Sequence, residues 1–127
     1  MVSTRSIDPS SKHGCVLVNK DNIIIGCGYN GPISQIDDSQ VPLTRPEKYA
    51  FFAHAEENAL LFCNGDTKGG TAYVNGIPCS RCIRMLCQKK FKRIVYGSLH
   101  AKCVDEQDYR VGRLMASLKG VVLEKLG

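Results

Sequence analysis

The apolar positions of this chain fall in short runs whose period switches between two and roughly 3.6 residues, which marks alternating strands and helices. Cys15-Val16-Leu17-Val18 and Ile23-Ile24-Ile25 flank the polar triplet Lys20-Asp21-Asn22, and together they predict a hairpin ending near Tyr29. An apolar run beginning near His54 predicts a buried helix over about residues 54–63, stopped by Asn64-Gly65. Gly69-Gly70 opens a strand, Thr71-Ala72-Tyr73-Val74, and a second helix is expected over about residues 80–90. Arg93-Ile94-Val95-Tyr96 reads as a strand ending at Gly97. Tyr109, Val111, Leu114, Met115 and Leu118 recur at near-helical spacing, so residues 105–119 read as a helix stopped by Gly120, with a strand over 121–124.

The resulting order, β-β-α-β-α-β-α-β, implies an α/β fold: a mixed sheet with helices on its faces. Ligands in such sheets gather at the carboxyl ends of strands, beside the helix starts that follow. Residues 30–48, punctuated by Pro32, Pro42 and Pro46, exceed an ordinary connection, and loops of that length are usually functional or mobile. No repeat or low-complexity segment interrupts the pattern.

Composition narrows the class without naming a chemistry. With 127 residues, 43% apolar and 23% charged, the chain is expected to form one domain spanning 1–127, with a substantial core. The first residues contain no apolar leader core, and no stretch approaches the ~18 apolar residues that span a membrane, so a soluble, cytoplasmic protein is expected. Seven cysteines, an odd number, suit a reducing compartment better than a disulfide framework. Those outside the motif below are expected to be small buried residues. A net charge of +5, from 17 basic and 12 acidic residues, suits an anionic partner such as a nucleotide.

The chemistry lies in His54-Ala55-Glu56 and Pro78-Cys79-Ser80-Arg81-Cys82. Catalytic zinc takes three protein ligands from thiolate and imidazole and keeps a fourth position for water. His54, Cys79 and Cys82 supply that set. Cys79 and Cys82 are three apart, on one face of a first helical turn, and Pro78 before them suits a helix start. The positive end of the helix dipole favours the thiolates. Glu56 is not needed as a ligand, and it can move protons between water and substrate. A structural zinc ribbon would need a second paired C-x-x-C, which Cys15, Cys27, Cys63, Cys87 and Cys103 do not provide. A redox C-x-x-C remains open, although neither alternative accounts for the H-x-E upstream.

H-x-E with P-C-x-x-C is the pattern of zinc nucleobase deaminases. The chain resembles the zinc-dependent cytidine deaminase superfamily, and within it the deoxycytidylate (dCMP) deaminases, along nearly its whole length. Arg5-Ser6-Ile7-Asp8-Pro9, His13-Gly14-Cys15-Val16-Leu17-Val18, Gly28-Tyr29-Asn30-Gly31, His54-Ala55-Glu56-Glu57-Asn58-Ala59, Tyr73-Val74 and Pro78-Cys79-x-x-Cys82 carry the likeness. It departs where the family's Val-Gly-Ala becomes His13-Gly14-Cys15, where Pro32 follows Gly31 directly, and in its short 30–48 region.

The resemblance implies a three-layer α-β-α cytidine deaminase-like fold around a mixed five-stranded sheet. It also implies zinc-dependent hydrolysis of dCMP to dUMP in pyrimidine nucleotide biosynthesis, with dCTP as an alternative substrate and a nucleic-acid deaminase of the tRNA adenosine type as a more distant one. By the same resemblance His54, Cys79 and Cys82 bind zinc and Glu56 shuttles protons. Asn30 holds a sugar hydroxyl, the Ala55 N–H meets the pyrimidine carbonyl, and the Pro78 carbonyl accepts from the exocyclic amine; Arg5 is read, apart from the resemblance, as the phosphate contact. Homohexamers regulated by dCTP and dTTP with magnesium are further expectations from the family. The basic run Lys89-Lys90-Phe91-Lys92-Arg93 reads as a solvated helix end with Phe91 turned inward, not as a nucleic-acid contact.

Overall fold

The computed structural model describes residues 13–32, 52–99 and 104–126. Strands β1 (Gly14–Val18), β2 (Ile24–Tyr29), β5 (Thr71–Gly76), β6 (Arg93–Leu99) and β7 (Val122–Lys125) form a five-stranded sheet in the order β2-β1-β5-β6-β7. β1 runs antiparallel to both β2 and β5, whereas β5, β6 and β7 are parallel. The expected mixed sheet is present. A second, two-stranded ladder pairs β3 (Gly31–Pro32) with β4 (Phe52–Ala53), which the sequence reading did not anticipate. Helices α1 (Ala55–Leu61), α2 (Ser80–Gln88) and α3 (Glu106–Lys119) fill the predicted places, with the first two shorter than expected.

Local chemistry explains the boundaries. In the first hairpin the Asn19 carboxamide accepts from the N–H groups of Asp21 and Ile23, and Asn22 takes a left-handed φ of 64° that asparagine tolerates better than most residues. Asp105 caps α3 by accepting from the Asp108 N–H, and Gly120 ends it in the left-handed region at φ 80°. Glu106 and Asp108 in the first turn and Lys119 in the last complement the helix dipole.

Among the described residues one sheet face carries the main buried cluster, while Val18 and Val95 are buried on the other. Gly26 and Gly28 of β2 face α1, and at Gly28 a side chain would meet the Ala59 backbone nitrogen at 2.5 Å. Cross-strand register carries that face through Leu17 and Cys15 to Ala72 and Val74, then to Ile94 and Tyr96. Ala55, Ala59, Ile83, Leu86 and Ala116 of the three helices join the same buried cluster. The helices therefore lie side by side on this face. Phe91 is buried, as expected of the basic run's aromatic.

Three sequence expectations need correcting. Cys15 and Cys87 are buried, but Cys27 is exposed and Cys63 only half-buried; Cys103 lies outside the described residues. Leu61 and Phe62, at the end of the run expected to be buried, are 68% and 66% exposed: they are the last residue of α1 and its C-cap, beyond the buried face of Ala55, Glu56 and Ala59. On α3, Gly112 and Ala116 are buried, whereas Val111, Leu114 and Leu118 face outward. No helix among the described residues is long and apolar enough to cross a membrane.

Candidate metal centre

His54 is the N-cap residue of α1, and Cys79 is the N-cap residue of α2. Each has an extended backbone, and neither side chain caps its own helix. They turn towards one another instead. The His54 Nδ1 lies 3.3 Å from the Cys82 Sγ and 3.4 Å from the Cys79 Sγ. Zinc–sulfur bonds near 2.3 Å and zinc–nitrogen bonds near 2.0 Å, at tetrahedral angles, place nitrogen and sulfur about 3.5 Å apart. The observed triangle fits that ion without rearrangement, and the ligand atoms of His54, Cys79 and Cys82 lie within 4.8 Å of one another. Nδ1, not Nε2, is the nitrogen that faces both sulfurs.

Glu56, the second residue of α1, is 4% exposed. Burial pushes its carboxyl from the ordinary 4.5 up to about 7, against the opposing pull of its own backbone N–H, the His54 imidazole and a hydrogen bond from Cys82. A carboxyl poised there exchanges protons readily at neutral pH. The His54 imidazole is shifted upward, chiefly by its hydrogen bond with Cys79. Behind this group Cys15 is fully buried, and desolvation, with a further contribution from the Glu56 charge, raises its thiol well above its usual value. It is held as a neutral core residue.

Asn30, Ala55 and Pro78, three of the four sequence-predicted substrate residues, lie at the same end of the sheet as His54 and Cys79. Pairing of Gly31 with Ala53 leaves Asn30 and His54 as the next residues along the two chains. Asn30 is buried, its carboxamide oxygen accepts from the His13 N–H, and its own N–H donates to the His13 carbonyl. Ala55 and Pro78 are buried beside His54 and Cys79 respectively. Pro78 precedes the α2 N-cap, two positions earlier than a first-turn proline. Arg5 lies outside the described residues. The groove bounded by Glu57, Leu60, Leu61, Arg84 and Met85 contains none of the predicted site residues.

Three polar residues without an assigned role in the sequence hold the frame. Asn58 donates to the Tyr29 carbonyl at 2.8 Å, tying α1 to the strand end that leads into Asn30. The Asn75 carboxamide accepts from the Gly14 N–H across the β1–β5 edge. Asp108 accepts from both the backbone N–H and the hydroxyl of Ser80, the first residue of α2. Asn58 sits within the matched His54–Ala59 motif, which was its only sequence signal.

Residues 2–98 match a family model described as the cytidine and deoxycytidylate deaminase zinc-binding region. The chain is 35% identical to deoxycytidylate deaminase of Pongo abelii over 128 aligned positions, covering 95% of this chain and 71% of that one. Its fold is similar to that of dCMP deaminase from cyanophage S-TIM5 in apo form, with a TM-score of 0.76, 25% identity, and 98% and 88% of the two chains covered. The complex of the cyanophage protein with dCMP and dUMP matches with a TM-score of 0.72 and 26% identity, at the same coverages.

Proposed function

The chain belongs to the cytidine and deoxycytidylate deaminase zinc-binding family, and from that premise we propose that it converts dCMP and water to dUMP and ammonia. The observation that carries this reading is the placement of buried Glu56 two residues beyond His54, beside a triangle that fits tetrahedral zinc. Likeness to deoxycytidylate deaminases supports the choice of substrate.

His54, Cys79 and Cys82 would hold the zinc. Bound there, zinc supplies a Lewis acid that makes water nucleophilic near neutral pH. Glu56 receives the proton that water gives up and passes it to the pyrimidine ring nitrogen beside the attacked carbon. A later proton transfer through Glu56 lets the exocyclic amine leave as ammonia. The Ala55 N–H orients the base through its ring carbonyl, and the Pro78 carbonyl accepts from the amine. Asn30, fixed by its paired hydrogen bonds with His13, holds a sugar hydroxyl. Arg5 is the proposed phosphate contact.

Cytoplasmic location, homohexameric assembly and control by dCTP and dTTP with magnesium complete the reading on the strength of the family resemblance. Ammonia release from cytidine, dCMP, dCTP and single-stranded DNA tests the central claim. Fastest turnover of dCMP is expected. Turnover confined to dCTP or to the nucleic acid would replace this substrate assignment.

A further inference from the structure

We propose that Asp108 is a positioning residue for the metal centre, holding the first turn of α2 in the geometry that presents Cys79 and Cys82 to a single ion. The inference rests on the reading of His54, Cys79 and Cys82 as zinc ligands. An N-cap side chain ordinarily accepts a hydrogen bond from an orphan N–H of the first turn. Cys79 occupies that position on α2 and makes no such bond, its sulfur lying against His54 instead. Ser80 follows Cys79 and precedes Cys82 by two residues, so rotation of the chain at Ser80 moves both sulfurs relative to one another. Asp108 fixes Ser80 at two points, accepting from its backbone N–H at 2.9 Å and from its hydroxyl at 2.6 Å.

The carboxylate reaches α2 because α3 approaches closely one turn later. At Gly112 a side chain would meet the Ile83 Cδ1 at 2.7 Å and the Ser80 Cα at 3.8 Å, so the two helices touch where Asp108 and Gly112 share a face. Asp108 is anchored in turn, since its own N–H donates to the Asp105 carboxylate at 2.8 Å. The cap that α2 lacks from its own N-cap side chain is thus supplied by Asp108, 28 residues beyond Ser80. Partners hydrogen-bonded to the ligands themselves tune metal affinity by about 10- to 100-fold; Asp108 acts through Ser80, the residue beside Cys79, so its effect belongs at the lower end of that range.

Release of zinc to a chromophoric chelator tests this, with zinc per chain measured first in the wild-type protein. Asp108→Ala is expected to release zinc about 10-fold faster than wild type. Asp108→Asn keeps one acceptor for the Ser80 N–H and gains a donor for its hydroxyl, so its release should stay within about threefold. Gly120→Ala strains the far end of α3 at φ 80° without touching Ser80, and should lower the melting temperature while leaving zinc release unchanged. Cobalt-substituted Asp108→Ala should show an altered thiolate charge-transfer spectrum, which loss of α3 stability alone would not produce. Should Asp108→Ala not fold, Ser80→Ala removes the hydroxyl contact alone and is expected to speed release measurably. Wild-type release rates in folded Asp108→Ala, or in Ser80→Ala where Asp108→Ala does not fold, or equal loosening by Gly120→Ala, would overturn the proposal. A wild-type protein that binds no zinc would overturn the site reading, and this inference with it.

Discussion

His54 and Cys79 occupy the same position on two different helices: each is an N-cap, each has an extended backbone, and their side chains meet at 3.4 Å. An N-cap side chain that bonds its own helix is typically worth about 0.5–2 kcal/mol. Both helices forgo that bond, so α1 and α2 begin in a geometry that is most favourable once the facing side chains share an ion. Metal binding at this pair is therefore expected to add to folding stability.

Purified protein should therefore contain one zinc per chain, and Cys79→Ala or Cys82→Ala should lose metal and activity together, because a three-ligand site has no spare donor. Chelation of the wild-type protein should lower its melting temperature as well as its turnover. Metal analysis with thermal melting checks both. Full activity after complete chelation would exclude a metal hydrolase.

Glu56→Gln separates proton transfer from metal binding. Glutamine matches glutamate in shape but carries no transferable proton, and the three ligand side chains are untouched. Zinc content should remain at the wild-type level while turnover falls by at least ~10² to 10⁴. A zinc-loaded variant turning over normally would remove Glu56 from the mechanism.

The same substitution gives a pH signature in metal-free protein. The folded-state pKa of Glu56, about 7, lies above its ordinary 4.5, so folding favours the neutral carboxyl. Its stability contribution is complete below about pH 4.5 and is lost as pH rises through about 7, a change of about 3 kcal/mol. His54, also shifted upward, loses stability in the same direction, but it is present in both proteins. Urea denaturation of metal-free wild type and Glu56→Gln should show the variant gaining on wild type across that pH range. Parallel curves would mean that the carboxyl is solvated.

Gly28→Ala should damage the site from a distance. The added methyl would lie 2.5 Å from the Ala59 nitrogen and 2.7 Å from the Ala55 oxygen, both backbone atoms of α1. Overpacking of this kind costs about 1–3 kcal/mol, and relief requires α1 to move off β2. Because His54 and Glu56 flank Ala55, that movement should lower kcat as well as thermal stability. Unchanged kcat and melting temperature would show that α1 tolerates displacement.

Where the chain forms strands and helices was legible because period and punctuation agree, as at Asn19–Ile23 in the hairpin and at Asp105 and Gly120 around α3. Which face of α3 packs was not. Hydrophobic spacing drew attention to Val111, Leu114 and Leu118, yet close helix approach selects small residues, and Gly112 and Ala116 are the buried ones. The clustering of His54, Cys79 and Cys82 was legible because zinc restricts residue type so tightly. Asn58, Asn75 and Asp108 were not, since each finds its partner 28 or more residues away and bears no local mark of it. The β3–β4 ladder, two residues on each side, is too short to leave a pattern.

Salt dependence distinguishes a mononucleotide enzyme from a nucleic-acid editor. Binding to a single strand weakens with salt at a log–log slope of about −0.7 for each phosphate neutralised, whereas one nucleotide engages only one or two cations. The basic run that would attract a strand is built as a turn: Lys89 is the C-cap of α2, Lys90 takes a left-handed φ of 67°, and Phe91 is buried between exposed lysines. With its aromatic buried, the run offers no stacking platform for a base. The Michaelis constant for dCMP should therefore change little between low and physiological salt, and single-stranded DNA should show no binding at physiological salt. Tight, steeply salt-dependent binding of single-stranded DNA or tRNA, together with poor dCMP turnover, would reassign the protein to nucleic-acid deamination.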